Sequence, residues 1–189
     1  MSTAVLESKP KPQVNGVVPE HYEVINGRIV ELPPMGAAEL RLSNLIARDM
    51  WQSLLDPRAG EVFIEMLFRL APDAKRDRRP DLAYVPYARF PDRLTPFVNA
   101  WSVIPALAAE IVSETNTANE IRGKIDDYFK YGVELVWVIY PHQRKVEVYT
   151  GLKTVTILDE NDTLDGGTVL PNFRLSLATL FAVVPREEA

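Results

Sequence analysis

The run "ALAAEIVSE", residues 106–114, constrains this chain most. Successive strand side chains point to opposite faces, so Leu107, Ala109 and Ile111 share one side and Ala108, Glu110 and Val112 the other. A strand of small and β-branched residues, apolar on both sides, belongs in the centre of a sheet covered on both faces. Glu110 is the exception, an ionisable group amid apolar neighbours. A buried carboxylate without a partner is costly, so it must be paired, protonated or bound to a metal. The same nine residues thus predict a covered sheet and a chemical site within it.

The flanking sequence supplies that sheet's other parts. "HYEVINGRIVELP" reads as an N-terminal hairpin around Asn26-Gly27. "AAELRLSNLIARDMWQSLL" has helical spacing at Leu42, Leu45, Ile46 and Met50. "EVFIEMLFRLA" is expected to form one strand, "DAKRDRR" a turn or loop, and residues 86–105, with four prolines, an irregular cover over the core. "TANEIRGKIDDYFKYG" is a second helix. Thr117 and Glu120 form its capping box, and Gly132 stands where it should end. "VELVWVIY", "KVEVYT" and "TVTIL" are strands, "DENDTLDGG" a polar turn, and "VLPNFRLSLATLF" a closing strand and short helix. Residues 1–17, with two Lys-Pro pairs and little apolar periodicity, read as a disordered tail. Strands, helix, strands, helix, strands predicts a single α/β (α+β) domain over residues 18–185, with a mixed central sheet flanked by helices.

Three further residues stand out. Asp81 opens the strand "LAYVPY" just behind "KRDRRP". If Asp81 and Glu110 share a face on adjacent strands, they make a hard-oxygen site suited to Mg²⁺ or Mn²⁺. Lys124 falls with Ile121, Ile125 and Tyr128 on one stripe of the second helix, with Asp126 and Asp127 largely elsewhere. A cation beside two carboxylates and a metal can orient water or offset phosphoryl charge. Plainer readings stand beside these. Asp81 can pair with Arg78 or Arg79. The Lys124 stem can snorkel along the core edge. Glu39 suits the positive end of the first helix, and "KRDRR" suits a solvated loop.

Bulk properties narrow the classes. The formal net charge of −5 argues against a general nucleic-acid coat but leaves room for a local basic patch. With no cysteine, disulfides and thiolate metal sites are excluded. His21 and His142 lie too far apart in sequence for a zinc motif. No run approaches the roughly 20 apolar residues of a membrane helix. There is also no signal-peptide pattern, so a cytoplasmic location is expected.

"YEVINGRIVELPP", "RRPD" ending at Asp81, "AEIVS" around Glu110, Lys124, Tyr128, Gly132-Val133, "VWVI" around Trp137 and "LPNFRLSLATLF" occur here in one order and spacing. In that arrangement the chain resembles the Uma2-like (DUF820) family within the PD-(D/E)XK nuclease superfamily, over roughly Tyr22 to Phe181. The resemblance implies a restriction-endonuclease-like fold with Asp81 and Glu110 as metal-binding acids. Many superfamily relatives carry the lysine two residues after the second acid, which is Val112 here; the Uma2-like pattern places it on the next helix, at Lys124. Glu39 stands where a polar first-helix residue is expected and is an accessory candidate. Tyr140 stands where many members have Asp, and "SETNT" replaces their Ser-Pro-Ser-Thr.

The expectation is therefore a Mg²⁺- or Mn²⁺-dependent endonuclease acting on DNA, with Asp81, Glu110, Lys124 and Glu39 at the catalytic site. Lys75, Arg76, Arg78 and Arg79 are candidate phosphate contacts. A catalytically silent interaction module that kept the fold is the alternative, to which Val112 and Tyr140 leave room. A homodimer is expected in either case, on the two-fold symmetry common to oligomers and matching a duplex.

Overall fold

The structure, a computed structural model, describes residues 19–54, 56 and 59–186. The expected tail, residues 1–17, lies outside the described residues. The chain opens with the hairpin β1 (Tyr22–Ile25) and β2 (Arg28–Glu31). Asn26 and Gly27 both have positive φ, 53° and 77°, as a two-residue hairpin turn of this type demands. Helix α1 (Ala37–Ser53) follows, then β3 (Gly60–Ile64), β4 (Phe68–Arg69), β5 (Arg76–Arg78), β6 (Leu82–Pro86) and β7 (Leu107–Ile111). Helix α2 (Ala118–Lys130) leads to β8 (Leu135–Tyr140), β9 (Lys145–Gly151) and β10 (Thr154–Asp159). The chain closes with β11 (Thr163–Gly166), β12 (Leu170–Ser176) and α3 (Leu177–Phe181).

Six strands form the central sheet in the order β10-β9-β8-β7-β6-β3. Only β7 and β8 pair in parallel; the other pairs are antiparallel. A parallel pair needs a crossover connection, and α2 supplies it. Every residue of β7 is buried, because each face has its own helix. On one face Leu42, Ile46 and Met50 of α1 pack with Leu82, Leu107, Ala109, Ile111 and Trp137. On the other, Ile121, Ile125 and Tyr128 of α2 pack with Ala83, Val85, Ala108, Val136 and Val138. The Thr117–Glu120 capping box starts α2 as expected, and Gly132 follows its end with φ 98°. A second, four-stranded sheet runs β2-β1-β5-β4, and β11 and β12 pair separately.

Three local expectations need correction. "EVFIEMLFRLA" is not one strand: Glu65, with φ 51°, interrupts it, and β4 leaves the central sheet to pair with β5. "DAKRDRR" is not only a loop, because β5 within it joins the hairpin sheet, with Val24 opposite Asp77. "DENDTLDGG" contains β11, anchored by Leu164, which is fully buried opposite Leu175. In the second case side-chain charge concealed strand residues, since Asp77 is paired with Arg69, and Arg78 with Glu23 and Asp127.

Candidate active site

Strand register builds the site. Leu82 of β6 lies opposite Ala109 of β7, so Asp81, one residue earlier, comes beside Glu110. Both belong to the alternating set that faces α2. That helix presents Lys124 and Tyr128 on its buried stripe. Lys124 Nζ lies 2.7 Å from Glu110 Oε2, and the Tyr128 hydroxyl donates to Glu110 Oε1. Asp81 Oδ2 accepts a hydrogen bond from the backbone N–H of Ile111 at 2.5 Å. Asp81, Glu110 and Lys124 thus stand together on the wall of a cavity of about 400 Å³. Glu39, Glu65, Glu114, Arg79, His21 and His142 also line it.

Behind the wall runs a chain of buried charges. Glu23 of β1, 1% exposed, has Oε1 3.7 Å from Lys124 Nζ. The same oxygen accepts from the backbone N–H of Arg79 at 3.0 Å. Its Oε2 accepts from Arg78 Nη1 at 2.6 Å, and Arg78 also donates to Asp127 Oδ2 at 2.8 and 2.5 Å. Burial works against the Lys124 ammonium, yet Glu110, Glu23 and Asp81 together hold it protonated, above the ordinary lysine range. Burial, and then the neighbouring Glu110 charge, pushes Asp81 up to about 7. Two carboxylates therefore converge where Lys124 does not fully compensate them.

A central mixed sheet with an acid pair and a lysine at one cavity is the frame on which the comparisons bear. The sequence model of Uma2, described as a putative restriction endonuclease, matches residues 18–178. The chain belongs to the Uma2 family. A crystal structure of a putative nuclease belonging to DUF820 from Anabaena variabilis superposes with a TM-score of 0.75. At 19% identity, the match covers 85% of this chain and 89% of that one, and it shows a shared nuclease-like fold. A search of curated proteins gives no significant match.

In this Uma2 chain neither arginine of the plainer reading takes Asp81: Arg78 bonds Glu23 and Asp127, Arg79 donates to the Glu65 carbonyl, and Asp81 accepts from the Ile111 backbone N–H. Lys124 does more than snorkel, because its ammonium is buried against two carboxylates. Val112 lies beyond the end of β7, and Lys124 brings the ammonium to Glu110 from the helix. Glu39 lies in the first turn of α1 on the cavity lining, with its carboxylate folded back over Gly36, where a Cβ would meet it at 2.3 Å. Tyr140 is not on this cavity; its hydroxyl donates to Glu147.

The basic run needs revision. Arg78 is 5% exposed and committed to Glu23 and Asp127, so it cannot serve as a phosphate contact without breaking both bonds. Arg76 is engaged by Asn26 and Asp127. Lys75 is exposed at the hairpin sheet, 3.4 Å from Asp73. Arg79 alone of the four lines the cavity, donating to the Glu65 carbonyl at 2.5 Å. Asp127, expected off the inward stripe, is 7% exposed and faces Arg78. Sequence reading also missed Glu23. The signal was present, since it sits between Tyr22 and Val24, both buried, much as Glu110 sits among apolar residues.

The donor set can be weighed against a metal. Among the described residues no group of three His, Cys, Asp or Glu side chains forms a ready cage. Asp81 and Glu110 on the cavity wall are donors of the kind Mg²⁺ takes, one or two carboxylates plus waters and substrate phosphate, with Glu110 2% exposed and its two oxygens bonded by Lys124 and Tyr128. The raised Asp81 carboxyl fits the same reading, because a divalent charge would favour its ionised form.

Proposed function

We propose that this chain is a Mg²⁺- or Mn²⁺-dependent endonuclease that hydrolyses phosphodiester bonds in DNA. The observation that carries the reading is the meeting of Asp81, Glu110 and Lys124 on one cavity wall, from two strands and a helix. Asp81 and Glu110 would hold the cation. When bound, it supplies charge neutralisation for the phosphate and acidifies water. Lys124 contributes a fixed ammonium, which hydrogen-bonds water and offsets charge that grows on phosphoryl oxygens. Glu110 and Glu23 keep that ammonium in place, and Tyr128 orients Glu110. Glu39 stands as an accessory acid on the lining, and Arg79 as the nearest phosphate contact.

Electrostatics supports dependence on a cation. The lining carries the carboxyls Glu39, Glu65, Asp81, Glu110 and Glu114 against the permanent cations Arg79 and Lys124. A polyanion approaching that surface is repelled unless divalent charge is added, so binding without it is weak, and the phosphate contacts of the cations Arg79 and Lys124 weaken as salt rises. The test is purified protein with supercoiled plasmid and Mg²⁺ or Mn²⁺. Wild type is expected to nick the plasmid and Glu110→Ala is not. Mn²⁺ is also expected to raise the melting temperature of wild type, but not of the Asp81→Ala/Glu110→Ala double variant. Absence of cleavage by wild type across metals and DNA forms, with no Mn²⁺ shift, overturns the proposal.

A further inference from the structure

The outer edge of the central sheet carries information that the catalytic reading does not use. β10 is an edge strand, paired with β9 alone. Proteins normally blunt such edges with charge, proline or a covering segment, because unpaired N–H and C=O groups template further strands. The interior of β10, Thr154 to Leu158, contains no charge and no proline. Four of those five residues are β-branched, which favours strand pairing. Val155 is 45% exposed and Ile157 61%, so apolar surface lies open beside the edge. The opposite edge, β3, has the charged Glu61 within it, tied to the Tyr87 hydroxyl at 2.7 Å.

The pattern along β10 is self-complementary. Lys153 immediately precedes the strand and Asp159 ends it, both exposed. If a second β10 runs antiparallel about a two-fold axis at Thr156, Lys153 of each copy, the last residue of the β9–β10 turn, comes to the end of the ladder near Asp159 of the other. Val155 of each then faces Ile157 of the other. Opposed β-branched pairs stabilise a ladder, and a lysine near an aspartate at each of its ends is attractive. Centring the axis on Ile157 puts Asp159 opposite Val155, and centring it on Val155 puts Lys153 opposite Ile157. Both lose the charge match and strand a charge against an apolar side chain. We infer that β10 docks on β10 of a second copy of this chain in the register centred on Thr156, continuing the sheet across the two-fold axis. The interface is isologous, as a two-fold contact requires. It does not depend on the nuclease reading.

The absence of cysteine makes the test specific. The full chain is expected to sediment as a dimer. Thr156→Cys is expected to form a disulfide-linked dimer under mild oxidation, while Ser102→Cys, on a loop away from the edge, is not. Lys153→Asp is expected to shift the protein to monomer with an unchanged circular dichroism spectrum, and Lys153→Asp/Asp159→Lys to restore the dimer. A monomeric wild type overturns the inference. So does a dimer that Thr156→Cys fails to cross-link or that Lys153→Asp leaves intact. Plasmid nicking enters none of these outcomes, so failure here is distinct from failure of the proposed activity.

Discussion

On the α1 face of the central sheet, Leu82, Ala109, Ile111 and Ile139 meet Leu42, Ile46 and Met50, and among the described residues no charged side chain is buried with them. On the α2 face, Ala83, Ala108 and Val138 share the space with Glu110 and Lys124, backed by Glu23, Arg78 and Asp127. The same strands supply both faces, one residue out of phase. Apolar burial on the first face contributes stability in proportion to area. On the second, desolvating each charge costs much of what the ion pairs return, so the network adds little net stability. It holds an ammonium and two carboxylates in fixed places. Both faces therefore bury apolar surface that keeps the fold, and the second also maintains a charged site.

The strongest way to break this contrast is Arg78→Met, which leaves Glu23 and Asp127 buried without their cation. Stability is expected to fall by about 3–5 kcal/mol in urea unfolding; a loss under about 1 kcal/mol would mean that the network relaxes into water. Next comes Met50→Ala on the α1 face. A cost of about 2–5 kcal/mol is expected from lost burial and the residual cavity. Plasmid nicking per folded molecule should be unchanged, and a selective loss of nicking would show that the faces are not separable.

The smallest effect sharpens the contrast through pH. Asp81 has a carboxyl raised to about 7 in the fold, against 3.8 ordinarily. Between those values the folded state binds the proton more tightly than the unfolded state. Stability from this group is therefore greatest at the acid end, falls as pH rises from about 4 to about 7, and is level above. Asp81→Asn should remove that slope, by roughly 1–3 kcal/mol between pH 5 and pH 8. An unchanged slope in the variant would assign it to another group.

The hairpin at Asn26-Gly27, the capping box of α2 and the doubly covered β7 were legible because each follows from neighbours within a few residues. The alternation around Glu110 also told which way that carboxyl points. The sequence did not reveal that Glu65 breaks its strand, or that Asp77 and Arg78 lie inside. Nor could local periodicity pick the partner of Asp81, because Arg78 and Arg79 are adjacent in the chain while the donor, Ile111, lies 30 residues away.

By itself the sequence determined the two main helices, the two faces of β7 and the need for a partner at Glu110, since side-chain alternation and helical spacing are local properties. Only the tertiary structure decided which charges are compensated. Lys124 reaches Glu110 across 14 residues and Arg78 reaches Glu23 across 55. A buried charge is tolerated or not according to the opposite charge that folding brings within about 4 Å of it, and strand register and helix docking set that distance.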